Sequence, residues 1–190
     1  MNGTGRLVII SGPSGAGKST VVRELLRIGR LPLKLSVSAT TRPPRQGEQD
    51  GRDYYFMSHE EFQRRRENGE FLECKEVFGR GHWYGTLRDE VAAGYAEGKW
   101  VLLEIDVAGA LTVLEQHPDA VTIFIHPGSM DELERRLRQR GSETQESINR
   151  RLEVAAREMS LRHQYQHEVV NDRVSRAAAE ICEILEQSGG

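Results

Sequence analysis

The chain has 190 residues, of which 37% are hydrophobic and 29% charged, the composition of an ordinary soluble globular protein with one core. Its formal net charge of −3 argues against a general binder of nucleic acid or anionic membranes, because those need a broad basic face. No apolar run approaches the roughly 20 residues of a membrane helix, and the N-terminus lacks a signal-peptide pattern, so we expect a cytoplasmic protein. The two cysteines lack ligand spacing, which predicts neither a disulfide framework nor a zinc site.

Strand-like and helix-like segments alternate from the start of the chain. Residues 7–10 are typical of a buried parallel strand, and the apolar spacing of residues 20–26 predicts a helix that ends at Gly29. Further strands are predicted at residues 101–106, 121–125 and 168–170, with helix-compatible sequence between them. This alternation predicts an α/β fold with a central parallel sheet flanked by helices.

Two segments of different character interrupt this alternation. Residues 38–86 predict a small β-rich insertion, in which Ser58-x-x-Glu61 is a capping box that starts a short helix. Residues 131–151 predict a charged helical hairpin that acts as a mobile lid, with a second capping box formed by Ser142 and Gln145. We therefore expect a single domain over residues 5–186. Its core comprises residues 1–37, 87–130 and 152–190.

The most specific motif is a complete GxxxxGK[ST] phosphate loop between the first strand and the first helix. It consists of Gly12, Pro13, Ser14, Gly15, Ala16, Gly17, Lys18 and Ser19, and Thr20 follows it. The glycines let backbone N–H groups point at phosphate oxygens at the start of a helix. Lys18 is expected to reach the β- and γ-phosphates, and Ser19 to offer its hydroxyl to Mg²⁺. The motif therefore predicts binding of a nucleoside triphosphate.

The phosphate loop alone leaves open which acceptor receives the phosphoryl group. The chain lacks the NKxD base-recognition motif of GTPases, and 190 residues leave no room for the additional modules of ATPase machines. These limits favour a small phosphoryl-transfer kinase.

The rest of the chain carries a long series of motifs in a fixed order. They are SVSATTRPPR at 36–45, GE at 47–48, GRDYYF at 51–56, EFLE at 70–73, YGT at 84–86, LEIDVxG at 103–109, RLxxRG at 136–141, INxRL at 148–152 and VND at 170–172. With the phosphate loop, this series closely resembles guanylate kinase over nearly the whole chain. The resemblance implies a phosphate-loop kinase that transfers the γ-phosphoryl group of ATP to GMP or dGMP, with Mg²⁺ as cofactor.

The insertion contains the residues expected to bind the phosphate of the acceptor. Arg42 and Arg45 are three apart on a loop stiffened by two prolines, so they can grip one phosphate together. The hydroxyls of Tyr54 and Tyr84 would add neutral donors. The resemblance implies that these four residues hold the phosphate of GMP.

The resemblance also implies that Ser38, Glu73 and Thr86 read the guanine base. Guanine offers N1–H and N2–H₂ as donors and O6 as an acceptor, which one carboxylate and two hydroxyls complement. Adenine has no N1–H and would leave Glu73 unpaired, and a hydrogen-bonding site rejects such an analogue strongly.

Two acidic residues follow each other closely near the end of the strand at residues 101–106. Glu104 and Asp106 are expected to share one face of this strand, beside the phosphate loop. By resemblance, Asp106 is the acid that orients Mg²⁺ together with Ser19, directly or through water, and Glu104 contacts GMP. The family usually has a glutamine where this chain has Ala108.

The predicted lid is rich in arginine. Arg136 and Arg140 are i,i+4 neighbours on one helix face, and Arg151 on the returning helix can converge on the same volume. By resemblance, these lid arginines neutralise the transferring phosphoryl group, and Asn171 lies near the adenine of ATP. The catalytic residues so implied are Lys18, Arg42, Arg136, Arg140 and Arg151. No histidine falls in a motif, which fits an anionic phosphate oxygen as nucleophile.

Two other functions compete with this interpretation. A guanylate-kinase-like interaction module would use the acceptor pocket to bind a phosphorylated protein, although such modules typically lose phosphate-loop residues. A ribose-bisphosphate kinase of related fold would have no need for Ser38 and Glu73 as purine-reading residues. ATP and GMP are the expected partners, without nucleic acid or membrane, and either a monomer or a homodimer is compatible with the sequence.

Overall fold

The computed structural model describes residues 5–77, 81–139 and 144–189. Its strands are β1 (Leu7–Ser11), β2 (Leu33–Leu35), β3 (Ala39–Thr40), β4 (Tyr55–Phe56), β5 (Phe71–Val77), β6 (His82–Leu87), β7 (Trp100–Glu104), β8 (Val121–His126) and β9 (His167–Val170). Its helices are α1 (Lys18–Ile28), α2 (His59–Glu67), α3 (Arg88–Ala96), α4 (Val107–Gln116), α5 (Met130–Gln139), α6 (Gln145–Ser160) and α7 (Val174–Ser188). These elements confirm the predicted α/β class.

The larger sheet is the central parallel sheet that the sequence predicts. Its strands lie in the order β2-β7-β1-β8-β9, and neighbouring strands run parallel. All residues of β1 and β8 are buried, because helices cover both faces of the sheet. Since β1 lies in the middle, the loop after it opens at the carboxyl edge of the sheet, where ligands of α/β proteins bind. Strand β2 has only three partly buried residues and carries no pattern that predicts it.

Two hydrophobic layers hold the helices against this sheet. On one face, α1 and α7 pack on the strands through fully buried side chains such as Val22, Ile123 and Ile181. On the other face, α4 contributes Val107 and Val113 to a second layer. Helix α1 ends at Gly29, which has a left-handed φ of 66°, as the sequence predicts.

The smaller sheet spans residues 39–87, in the order β4-β3-β6-β5. Strands β3, β6 and β5 pair antiparallel, whereas β3 and β4 pair parallel. Its own small core includes the rings of Phe62 and Phe71, whose centroids are 4.4 Å apart. The Ser58 hydroxyl caps α2 by accepting a hydrogen bond from the backbone N–H of Glu61. The predicted β-rich insertion and its capped helix are therefore present.

The predicted lid corresponds to α5 and the start of α6. Thr144 caps α6 by accepting a hydrogen bond from the backbone N–H of Ser147. The predicted Ser142–Gln145 capping box includes Ser142, which lies outside the described residues. Helix α6 runs unbroken past residue 151, and the lid and insertion boundaries stay predictions. Within the described ranges, no helix is both long enough and apolar enough to cross a membrane.

Candidate active site

The phosphate loop links the centre of the sheet to α1, and its backbone course depends on glycine. Gly12 has a φ of +139°, and a Cβ atom there would lie 2.0 Å from the carbonyl oxygen of Ile125 on β8. No other residue type fits this close approach without displacing a central strand. The conformation of the phosphate loop therefore depends on how closely it packs against the central sheet.

Two side chains at the start of α1 are held by neighbouring groups. The Lys18 ammonium donates hydrogen bonds to the carbonyl oxygens of Gly12 (2.6 Å) and Pro13 (3.1 Å), so it lies over the loop. The Ser19 hydroxyl donates to Oε1 of Glu104, at 2.5 Å. Thr20 is exposed. Lys18 and Ser19 thus occupy the positions from which the motif predicts phosphate and metal contacts.

A cavity of about 370 Å³ lies between the phosphate loop, the smaller sheet and α6. On the core side it is lined by the predicted residues Gly12, Ser14, Lys18, Glu104 and Asp106. On the insertion side it is lined by the predicted residues Ser38, Tyr54, Glu73 and Tyr84. The structure therefore brings the predicted donor and acceptor groups to one volume.

Glu73 is the most deeply placed carboxylate on the insertion side. Its side chain accepts a hydrogen bond from the hydroxyl of Thr86 (2.8 Å), and the two residues are 9% and 0% exposed. Burial raises the pKa of the Glu73 carboxyl to about 7, against the lowering effect of that hydrogen bond. A Cβ atom on Gly109 of α4 would lie 2.8 Å from Oε2 of Glu73, so the helix approaches this carboxylate closely at a glycine.

Arg42 is held in a single orientation by its neighbours. Its guanidinium donates to both oxygens of Glu48, at 2.9 and 3.0 Å, and to the Tyr84 hydroxyl, at 3.1 Å. It also lies over the ring of Tyr54, 5.4 Å from the centroid. Burial by itself would lower the pKa of this guanidinium, but the hydrogen bonds to Glu48 and Tyr84 keep it raised. The exposed Arg45 contributes its backbone N–H to Glu48 (2.7 Å).

The acidic pair differs from its predicted arrangement on one strand. Strand β7 ends at Glu104, and Asp106 is instead the N-cap of α4, where it accepts a hydrogen bond from the backbone N–H of Gly109 (2.7 Å). The prediction that both acids lie on the strand is therefore wrong, because the chain turns into the helix after Ile105. Both acids nevertheless line the same cavity.

Oxygen donors around the phosphate loop fit a hard cation such as Mg²⁺. The Ser19 hydroxyl, Glu104 and Asp106 are all oxygen donors, and Mg²⁺ needs only one or two carboxylates when phosphates and waters complete its shell. No group of three or more His, Cys, Asp or Glu residues in the described ranges could hold a metal by protein ligands alone. The donor set is thus suited to a cation that arrives with a nucleotide.

Two arginines of the predicted lid donate hydrogen bonds to residues of the phosphate loop. Arg136 donates to the carbonyl oxygens of Asn171 (2.7 Å) and Ala16 (3.4 Å), and Arg151 donates to the Ser14 hydroxyl (2.8 Å). The buried side-chain amide of Asn171 also donates to Ala16, at 2.7 Å. Arg140 lies outside the described residues.

Three further residues of the site carry charge but were not predicted. Glu48 pairs with Arg42, Lys75 lies 3.5 Å from Asp106, and Glu158 of α6 lines the cavity. Burial raises the pKa of the Glu158 carboxyl, against the lowering effect of the Lys18 ammonium. Strand alternation from Glu73 indicates Lys75, and the i,i+7 spacing from Arg151 indicates Glu158. No local pattern indicates the Glu48 pair, which depends on the fold of its loop.

A five-stranded parallel sheet with a phosphate loop after its central strand defines the class of P-loop α/β proteins, and in this chain a cavity opens beside that loop. Sequence and structure comparisons narrow this class further. The sequence profile of the guanylate kinase family matches residues 4–188. The chain therefore belongs to the guanylate kinase family.

Individual relatives agree with this assignment. A guanylate kinase from Rhodopirellula baltica is 62% identical over 95% of this chain and 87% of its own length. One from Caldanaerobacter subterraneus is 47% identical over 95% of this chain and 86% of its own length. The crystal structure of guanylate kinase from Anaplasma phagocytophilum is 37% identical and superposes with a TM-score of 0.80, covering 98% of this chain and 87% of that one.

Proposed function

We propose that this protein is an ATP:GMP phosphotransferase that works in the cavity between the phosphate loop and the smaller sheet. Membership of the guanylate kinase family makes it a nucleoside monophosphate kinase that converts ATP and GMP into ADP and GDP. One observation carries the assignment of the site: Lys18 and Glu73 line the same cavity of about 370 Å³. A phosphate-binding cation and a base-reading carboxylate in one volume suit a donor and an acceptor that react directly. We also infer that dGMP is accepted and that the reaction takes place in the cytoplasm.

The acceptor phosphate is proposed to bind at Arg42, Arg45, Tyr54 and Tyr84. Arg42 is already oriented by Glu48 and Tyr84, so little side-chain entropy is lost when a phosphate binds. Its guanidinium donates to Tyr84, to a backbone carbonyl oxygen and to both oxygens of Glu48, and the remaining N–H of Nη2 is the donor proposed for a phosphate oxygen. The Glu48 pair thus fixes the plane in which this donor lies.

Glu73, Thr86 and Ser38 are proposed to recognise the guanine base. The Glu73 carboxylate would accept hydrogen bonds from N1–H and N2–H₂, and the two hydroxyls would complete the pattern. Because burial raises the pKa of Glu73 to about 7, its charged form is fully present only above that pH in the free protein. Guanine donors would stabilise the charged form and replace lost solvation. The acidic residue Glu104 is the proposed further contact to GMP.

The donor ATP is proposed to bind at the phosphate loop from Gly12 to Thr20. Backbone N–H groups and the Lys18 ammonium would hold its phosphates, with Asn171 placed toward the adenine. Ser19 and Asp106 would hold Mg²⁺. When bound, that ion neutralises charge on the β- and γ-phosphates.

Positioning and charge neutralisation are the proposed basis of catalysis. A phosphate oxygen of GMP attacks the γ-phosphorus, the bond from that phosphorus to the bridging oxygen breaks, and ADP leaves. The nucleophile is already anionic, so no general base is required. Lys18 and Arg42, with Arg136, Arg140 and Arg151 of the lid, would stabilise the charge on the transferring group. Closure of the lid would exclude water that could otherwise hydrolyse ATP.

A coupled assay of ADP release with ATP and Mg²⁺ tests this proposal. The acceptors compared are GMP, dGMP, AMP, CMP, UMP, ribose 1,5-bisphosphate and none. Activity with GMP and dGMP alone is the expected result. A preference for ribose 1,5-bisphosphate would remove the base-reading roles of Ser38 and Glu73. Binding of ATP without turnover of any acceptor would favour an interaction module.

A further inference from the structure

Lys75 lies on the cavity-facing side of the ribbon formed by β5 and β6. In this ribbon Glu73 is paired with Thr86, and Lys75 is paired with Tyr84. Residues two apart on a strand share a face, and directly opposed residues have Cβ atoms about 5 Å apart. The pair Lys75–Tyr84 is therefore the next pair on the same face of the ribbon after the proposed base-reading pair. Tyr84 in turn accepts a hydrogen bond from Arg42.

The Lys75 ammonium pairs across the cavity with the core. Its Nζ lies 3.5 Å from Oδ2 of Asp106, and its side chain is 48% exposed, so it can change partners at small cost. Asp106 belongs to the N-terminus of α4, whereas Lys75 belongs to the insertion. The ion pair therefore connects the two sides of the cavity.

The charge balance of the cavity makes this ammonium significant. Among the described residues that line it, the carboxylates are Glu73, Glu104, Asp106 and Glu158, and the ammonium groups are Lys18 and Lys75. Both proposed substrates are anionic, and unbalanced carboxylates would repel them. Lys18 is placed over the phosphate loop, on the donor side. Lys75 is the cavity-lining ammonium placed on the acceptor side.

We propose that Lys75 is a further substrate-binding residue, whose ammonium leaves Asp106 and binds the phosphate of the acceptor beside Tyr84. This inference rests on the proposed function, because it assigns the acceptor as a nucleoside monophosphate. Because the Lys75 ammonium exchanges one anionic partner, Asp106, for another, the phosphate, it is paired both before and after the acceptor binds. It also frees the Asp106 carboxylate when the acceptor binds.

Calorimetric binding of GMP and guanosine, without ATP or Mg²⁺, tests this proposal without any turnover. Lys75→Met should weaken binding of GMP by roughly tenfold to a hundredfold, the range expected for a charge-assisted hydrogen bond. Measured well above the Glu73 pKa of about 7, where this carboxyl is charged with or without Lys75, binding of guanosine should stay unchanged, because guanosine has no phosphate. Lys75→Arg should keep most of the GMP affinity. Lys99→Met is the matched control, since Lys99 is 43% exposed and pairs with Glu97 at 2.9 Å.

A double-mutant cycle with Asp106 separates direct contact from a general field effect. Asparagine is also a good N-cap, so Asp106→Asn should keep the start of α4. If Lys75 must leave Asp106 to reach the phosphate, Asp106→Asn strengthens GMP binding more in the wild-type background than in the Lys75→Met background. If Lys75 stays where it is, the two effects are additive.

Three results would overturn the proposal. They are unchanged GMP binding in Lys75→Met, an equal loss for GMP and guanosine, and additive effects in the cycle. Failure of the proposed function has a different signature, because the wild-type protein would then bind neither GMP nor guanosine. Melting temperatures of all variants identify any that fail to fold. If Lys75→Met fails to fold, Lys75→Arg still tests the proposal.

Discussion

The two sides of the cavity are built differently around the phosphates that we propose they bind. On the core side, the proposed phosphate-binding groups are largely backbone N–H groups of a loop whose course depends on Gly12 and on the packing of β1 on β8. On the insertion side, they are side chains such as Arg42 and Tyr84, and Glu48 helps to orient Arg42. Damage to the backbone course of the core side should therefore affect stability and turnover together, whereas loss of a core-side side chain such as Lys18 should affect turnover. Damage to the insertion side should affect binding and selectivity.

Removal of the lysine of the phosphate loop is expected to have the largest effect. Lys18→Ala should lower kcat by at least about a hundredfold, since it removes a charge placed for the phosphates. The melting temperature should change little, because Lys18 lies over the phosphate loop and outside the hydrophobic layers of the sheet. Lys99→Ala controls for loss of a lysine outside the cavity. A near-normal kcat would contradict the assignment of the donor site.

A methyl group at Gly12 tests how firmly the loop is tied to the central sheet. Gly12→Ala should lower the free energy of unfolding by about 3 kcal/mol, because the new Cβ would meet the Ile125 carbonyl at 2.0 Å. Urea unfolding measures this change. Gly98→Ala is the control, with a φ of +67° and no atom within 4 Å of the added Cβ, and should cost about 1 kcal/mol. Equal losses would show that the close approach does not matter.

Loss of Arg42 should weaken substrate binding on the insertion side of the cavity. Arg42→Ala should weaken GMP binding by roughly tenfold to a hundredfold, with a smaller effect on binding of an ATP analogue. It would also leave the Glu48 carboxylate without its partner near the acceptor phosphate. Isothermal calorimetry measures both affinities. Arg64→Ala, on the exposed face of α2, is the control, and an unaltered dissociation constant for GMP would exclude Arg42 from the site.

Glu73 should give the smallest and most selective effect. Glu73→Gln should reduce the preference for GMP over AMP by about tenfold or more, with less change in kcat, because the amide no longer accepts both guanine donors. Acceptor competition assays measure this preference. An unchanged preference would remove Glu73 from the base pocket.

The raised pKa of Glu73 makes stability and affinity for GMP depend on pH in opposite directions. Since the folded-state pKa is about 7 and the ordinary value 4.5, the folded protein binds an extra proton between these values. The contribution of Glu73 to the free energy of unfolding should therefore rise as pH falls from 8 to 5, whereas its contribution to the affinity for GMP should fall. Glu73→Gln removes this group, so the difference between the wild type and this variant isolates both trends. Parallel trends in these two differences would contradict the assignment.

Local patterns predicted much of the fold and part of the site. Apolar runs indicated the buried strands, and Ser58 with Glu61 indicated the start of α2, because a capping box is decided within four residues. Thr144, which caps α6, is a cap that the sequence analysis did not predict. Asp106 was expected on a strand, but the chain becomes helical directly after it. Element ends are thus harder to predict than elements.

The sequence by itself determined the order of the elements, the phosphate loop and the identity of most charged groups, because these follow from periodicity and from residue types close in the chain. Tertiary structure alone decided which residues the charged side chains contact. Glu73 faces Gly109, Lys75 pairs with Asp106, and Arg136 reaches Ala16, contacts that join separate elements. Such contacts depend on how helices and sheets pack, and a shift of a few ångströms makes or breaks a hydrogen bond. No local pattern carries that information.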